Sequence, residues 1–340
     1  MVKLLEVRTE NVNAIKTLFE VLKDVLEDVN IEFRRDDEMN LKAIAEAKEA
    51  KSSSSKYSEL SDDEEYEKSD KKKDKTETRE GGIKIMATDE KRTLLIDVKL
   101  NASNFDTFWC KHKTIDIGIN VGKLHTILKS LDKDDILTIG HDSDDKLNLQ
   151  LKVLNTKKNY DSLLRLKLQD INKHAFKIPP TEFDATITID TAEFHRVCRE
   201  MSVLAHYLEI KCTKKAITFT CKGDCIERSS TYYNIEALKK DEDDGEDPRG
   251  VNIMFGKKSK TEIVQGIFKL DYLVMFTKCA SLCSEIQIYM RNNYPLCIRY
   301  TVATLGRILF CLSPYNAKNI DRNFDDDDEF YDSKEVNLKV

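Results

Sequence analysis

No apolar run in this sequence approaches the ~18 residues needed to cross a bilayer. The opening MVKLLEVRTE is broken by charges where a secretory leader needs an uninterrupted apolar core. A soluble, intracellular chain with no membrane partner is expected. The marks of common catalytic chemistry are missing too. There is no G-x-S-x-G and no H-E-x-x-H, and the six histidines stand at spacings that suit no metal. GVNIMFGKK, Gly250 to Lys258, approaches a phosphate loop but has five residues between its glycines where four are needed. Lys258 also replaces the metal-binding hydroxyl, so the stretch reads as a loop entering a strand. No enzyme, catalytic residue, cofactor or metal is expected.

Cysteine is not scarce: there are nine. Two C-x3-C spacings, Cys221/Cys225 and Cys279/Cys283, lack the second close pair or spaced histidines that zinc requires. Cys221 lies in the alternating AITFTC and Cys279 follows the apolar YLVMFT, so buried, reduced, structural cysteines are expected. TAEFHRVCREMS, Thr191 to Ser202, raises the same question at closer range. At about 100° per residue, Phe194, Val197, Cys198 and Met201 gather on one side of a helix, with Leu204 continuing the stripe. Arg196, Arg199 and His195 project to the other side. A buried back and a basic front are expected, with no Cys/His pair.

At 340 residues the chain exceeds one ordinary domain. Its formal charge of −6 argues against nucleic acid only if it is spread evenly. It is not: residues 36–80, 239–249 and 321–340 carry −5, −3 and −5, leaving +7 on the rest. Residues 36–80, with KSSSSKYSELSDDEEYEKSD at their centre, hold too little apolar surface to offset ordering entropy and read as a disordered insertion. NFDDDDEFYDSKE reads as a mobile acidic tail.

Elsewhere a pattern recurs. VGKLHTILKSLDKDDILTI followed by LNLQLKV is a helix running into a hairpin. So are TAEFHRVCREMSVLAHYLEIKC with AITFTC, and LDYLVMFTKCASLCSEIQIYM with PLCIRYTV. NVNAIKTLFEVLKDVL feeds NIEFR, and GGIKIMATDEKRTLLIDVKL completes that hairpin beyond the insertion. Four helix-then-hairpin units, two either side of about residue 175, predict an α+β architecture with helices on antiparallel sheet. The paired prolines of INKHAFKIPPTEF mark an extended connector.

The polar faces of these helices are basic. Lys16 and Lys23 share one face, diluted by Glu20 and Asp24. Lys123, His125, Thr126 and Lys129 occupy another, Arg196 and Arg199 a third, and Lys278 a fourth beside Asp271. Sparse bases of this kind contact phosphates without reading sequence.

Several stretches resemble one family. EFHRVCREMS is similar to the E-F-x-R-[IV]-C-R-[DE]-[LM]-S helix of the proliferating cell nuclear antigen family, the eukaryotic DNA sliding clamps. NFDTFWC resembles its G-F-D-x-[YF]-x-C segment, and IGINVGKLHTILK its M-G-[VI]-N-x-x-x-[LM]-x-K-[IV]-L-K segment. The run from YLVMFTK to FCLSP resembles its C-terminal portion. The resemblance implies two similar clamp domains, 1–170 (with the 36–80 insertion) and 186–318, a connector at 171–185 and a flexible tail at 319–340. Three subunits would close a ring whose helices face double-stranded DNA. Lys16, Lys23, Lys123, Lys129, Arg196, Arg199 and Lys278 would face it, while Thr126 and Asp271 depart from bases common in the family.

The resemblance also implies partners: DNA polymerase, an ATP-driven clamp loader, and proteins carrying Q-x-x-[LIM]-x-x-[FY]-[FY] peptides. The matching pocket positions are Thr88, Arg92, Thr93, Phe176, Ile178, Pro295, Cys311 and Pro314, with Cys311 standing where an aromatic is usual. SLLRLKL and CIERSSTYY match the edges through which subunits join. A nuclear protein, or one of a viral replication compartment, is implied. The insertion, Asp271 and Cys311 leave open a clamp-like scaffold for transcription or damage signalling, or one subunit of a heterotrimer.

Overall fold

The computed structural model describes residues 2–43, 81–172, 181–235, 250–256 and 261–315. Phe176 and Ile178, most of the insertion and the acidic tail lie outside them. Four βαβββ units succeed one another. The first comprises β1 (Lys3–Thr9), α1 (Val12–Leu22), β2 (Asp28–Arg34), β3 (Gly82–Thr88) and β4 (Leu94–Asn101), followed by a short β5 (Thr107–Cys110). The second has β6 (Thr114–Asn120), α2 (Val121–Lys129), β7 (Ile136–Asp142), β8 (Asn148–Asn155) and β9 (Tyr160–Lys167). The third has β10 (Ala185–Asp190), α3 (Thr191–Ser202), β11 (Tyr207–Thr213), β12 (Ala216–Lys222) and β13 (Glu227–Tyr233), then a short β14 (Asn252–Phe255). The fourth has β15 (Ile263–Lys269), α4 (Leu270–Phe276), a 3-10 turn (Thr277–Ser281), β16 (Glu285–Met290), β17 (Leu296–Val302) and β18 (Gly306–Leu312).

Units interlock by exchanging first strands. β1 pairs with β7 while β6 pairs with β2; β10 pairs with β16 while β15 pairs with β11. Alternation drives this, because inward positions such as Leu137 and Ile139 of β7 are buried while their neighbours along the strand are more open. Three sheets result, ordered β5-β1-β7-β8-β9, β14-β10-β16-β17-β18-β4-β3-β2-β6 and β13-β12-β11-β15. The middle sheet joins the two halves of the chain through β18 and β4, in register from Gly306 opposite Leu100 to Leu312 opposite Leu94. A Cβ on Gly306 would lie 2.1 Å from the Lys99 carbonyl oxygen, so only glycine permits this approach. Beside it the buried Asp97 accepts from Arg307 Nη2 at 3.4 Å.

Two sequence expectations need correction here. The charged insertion does not begin at residue 36, because residues 37–43 are helical and both Met39 and Asn40 are buried. Asn40 Nδ2 donates to the Cys110 carbonyl at 2.7 Å, and the Cys110 N–H donates to Asn40 Oδ1 at 3.1 Å. One carboxamide thereby completes both backbone groups of a residue on the sheet's outermost strand. Asn40→Ala is expected to cost about 1–3 kcal/mol, as both groups lose their partner, measured as a lower urea midpoint at unchanged slope. Nor are all nine cysteines buried. Cys225 is exposed and Cys283 half-buried, since Cys225 lies in the turn that follows Gly223 and Asp224, outside the ladder of β12 and β13.

Candidate nucleic-acid interface and partner pocket

The helices form one layer. α1 packs on α2, α3 packs on α4, and α1 reaches the 3-10 turn after α4, with Thr17 and Ser281 hydroxyls 3.3 Å apart where they meet. Asn120 caps α2 by accepting from the Lys123 N–H at 2.9 Å. Asp190 caps α3 by accepting from Ala192 and Glu193 N–H at 2.8 and 3.1 Å. Such caps satisfy orphan donors and fix where each helix begins.

The seven bases expected to face DNA are not equivalent. Lys16 Nζ donates to the Leu131 carbonyl at 2.6 Å, tying α1 to the end of α2. Lys278, in the 3-10 turn rather than on α4 itself, is ion-paired with Asp24. Arg196 pairs with Glu193, which also accepts from the Tyr232 hydroxyl at 3.2 Å. Lys23, Lys123, Lys129 and Arg199 have no ion-pair partner among the described residues. The neighbouring acids are matched as well: Glu200 with Arg228, and Asp271 with Lys269 at 3.1 Å. With Lys16, whose carbonyl partner does not neutralise it, that leaves five bases without an ion pair on or beside these helices against Glu20 alone, among the described residues. Asp271 weakens the basic field less than its sequence position implies, because Lys269 neutralises it.

The two helix histidines are corrections. His195 does not face outward with the arginines; it is fully buried, with Nε2 3.0 Å from the Tyr300 hydroxyl on β17. It sits only about 60° from Cys198 around the helix, and α3 packs on both β10 and α4, so the covered face is wider than the apolar stripe. Burial first, then Arg199, pushes its pKa down to about 4. His125 is buried too, and its pKa falls through burial first and then Lys23. Both are neutral at pH 7 and add no charge to the helix face.

The described pocket positions lie at the ends of four strands, β3, β4, β17 and β18. Thr88 closes β3, and Arg92 and Thr93 follow in the turn to β4, with Arg92 at φ +53°. Ser313 N–H donates to the Thr93 carbonyl at 2.9 Å, holding the segment of Pro314 against that turn. Pro295 leads into β17. Across the sheet Thr88 opposes Leu95, Leu95 opposes Cys311, and Cys311 opposes Cys297, so these side chains share one row on one face. Sequence reasoning missed the residue that shapes the turn. Asp89 Oδ1 accepts from Leu94 N–H at 2.7 Å, and its Oδ2 accepts from the Tyr272 hydroxyl of α4 at 2.6 Å. The available signal was an aspartate opening the DEKR turn between two alternating runs.

Known proteins show which family the chain belongs to. Residues 71–175 match the family description "Proliferating cell nuclear antigen, N-terminal domain", and residues 177–315 match its C-terminal domain. The chain belongs to the proliferating cell nuclear antigen family. The first match begins in the stretch between β2 and β3, and the fold returns β1, α1 and β2 to the same unit. A "Probable DNA polymerase sliding clamp" of Acanthamoeba polyphaga mimivirus is 30% identical over 322 residues, covering 93% of this chain and 63% of that relative. "Probable DNA polymerase sliding clamp 1" of Paramecium bursaria Chlorella virus 1 is 24% identical, covering 92% of this chain and 97% of its own. The "Proliferating cell nuclear antigen" of Chaetomium thermophilum is 29% identical, covering 70% and 87%. Membership in this clamp family implies a non-enzymatic scaffold, ring assembly and a partnership with DNA and polymerase.

Proposed function

We propose that this chain is a homotrimeric sliding clamp that encircles duplex DNA without reading its sequence and tethers DNA polymerase. The observation that carries this reading is the joint placement of unmatched bases and free edges. Lys23, Lys123, Lys129 and Arg199 stand on one helix layer, while β9 and β13 each end a sheet with one side open among the described residues. Two clamp domains, residues 1–170 and 186–318, joined by a connector at 171–185, make up the subunit. The row from Thr88 to Cys311 receives partner peptides, and an ATP-driven loader opens the ring, since a closed ring cannot thread circular DNA. The names of the relatives favour a polymerase clamp over a signalling scaffold. Two of them come from viruses, which fits work in the nucleus or a viral replication compartment. Monomer mass in solution together with no gain in polymerase processivity on loaded DNA would overturn the proposal.

The DNA-facing surface has its own test. Lys123→Ala, Lys129→Ala and Arg199→Ala together are expected to weaken binding of a short linear duplex by about tenfold near physiological salt. The slope of log affinity against log salt should also fall by about 0.9 for each phosphate that is no longer neutralised. Fluorescence anisotropy across a salt series reads both. Lys278→Ala alone should change the slope less, because its ammonium is committed to Asp24.

A further inference from the structure

Cys297 and Cys311 face each other across β17 and β18. The Cys297 thiol donates to Cys311 Sγ at 2.9 Å, the one sulfur–sulfur hydrogen bond among the described residues. Directly opposed residues on antiparallel strands have Cα atoms roughly 4.5–5.5 Å apart, inside the span that a disulfide bridges. The two are 5% and 8% exposed, which admits a small oxidant and excludes a bulky one. We propose that Cys297 and Cys311 are a reversible oxidation site, closed to a cross-strand disulfide by hydrogen peroxide and reopened by a dithiol reductant. The hydrogen bond to Cys311, then burial, holds the Cys297 thiol protonated above its usual range, and Cys297 is the donor of that bond, so the step is written with Cys311 attacking first.

The step balances. Cys311 sulfur takes one peroxide oxygen as a sulfenic acid and one water leaves. Cys297 sulfur then displaces the sulfenic oxygen as a second water, carrying both thiol protons away and leaving the S–S bond. Two electrons pass from the thiols to the peroxide. The consequence rests on the pocket reading above: Cys311 is one of the pocket positions, so closure draws its sulfur toward Cys297 and locks β17 to β18 beneath the peptide.

The full chain treated with hydrogen peroxide, alkylated without reduction and digested with trypsin tests this directly. Trypsin separates the two cysteines into peptides 292–299 and 308–318. The expected product is these two peptides linked, two hydrogens lighter than their sum, and absent after treatment with dithiothreitol or in Cys297→Ser. Recovery of both cysteines singly alkylated, or as separate sulfinic acids, overturns the site. A Q-x-x-[LIM]-x-x-[FY]-[FY] peptide should bind the oxidised form about fivefold more weakly or worse, a coupling of ordinary allosteric size. Equal affinity with the link in place overturns the gating, whereas no binding by either form counts against the pocket itself.

Discussion

A chain carrying Leu163→Asp with Tyr233→Asp is expected to run at the mass of one subunit at micromolar concentration. Leu163 lies on β9 and Tyr233 on β13, the open ends of two sheets, and they are 44% and 58% exposed. In the proposed head-to-tail ring the β9 of each subunit would meet the β13 of the next. Each joint therefore gains two carboxylates where apolar side chains flanked a continuing ladder. Charges of one sign juxtaposed at an interface cost several kcal/mol, about a thousandfold or more in association. A closed ring needs every joint, so polymerase processivity should fall with the mass. Both positions are already exposed in the single chain, so its thermal midpoint should move little. Light scattering and a melt on one sample separate failed assembly from failed folding, and a persisting trimer would place the joint elsewhere.

The second large effect is an acid loss of stability through His195. An imidazole at 6.5 in the unfolded chain and about 4 in the folded one favours the fold while it stays neutral. Its full contribution is present above pH 6.5. It declines as pH falls from 6.5 toward 4, because the unfolded chain takes up a proton that the folded chain refuses, and it levels off below. At about 1.4 kcal/mol per pH unit this amounts to roughly 3 kcal/mol. Its Nδ1 has no partner among the described residues, so nothing there rewards the charged form. Urea unfolding at intervals between pH 7 and 4 should show the decline, and His195→Gln should flatten that share of it. An equal slope in both proteins would assign the acid sensitivity to carboxylates.

Local periodicity made much of the fold legible. The helix-then-hairpin repeat and the inward turn of Cys198 follow from spacing within short windows. What escaped depends on partners distant in sequence. Lys278 meets Asp24 across 254 positions, so neither charge, read within its own segment, shows that it is spent. His195 sits at the margin of an apolar stripe, and only the approach of Tyr300 from β17 decides that it goes in. Asn40 lies in a stretch whose composition forbids a core, yet one carboxamide matched to one backbone residue is enough to dock it. The basic helix faces were visible, but which bases stay unmatched was not.

The seam between β18 and β4 bears on how a ring of these subunits would yield under force. Backbone bonds run unbroken through the middle of the subunit, and the buried Asp97 is paired with Arg307 beside them. A torque that spreads the ring meets a stiff beam there rather than a hinge. It would concentrate instead at the joints between subunits, where in the proposed ring only edge strands hold. Opening should therefore be a clean parting between neighbours, with each crescent swinging as a rigid arm.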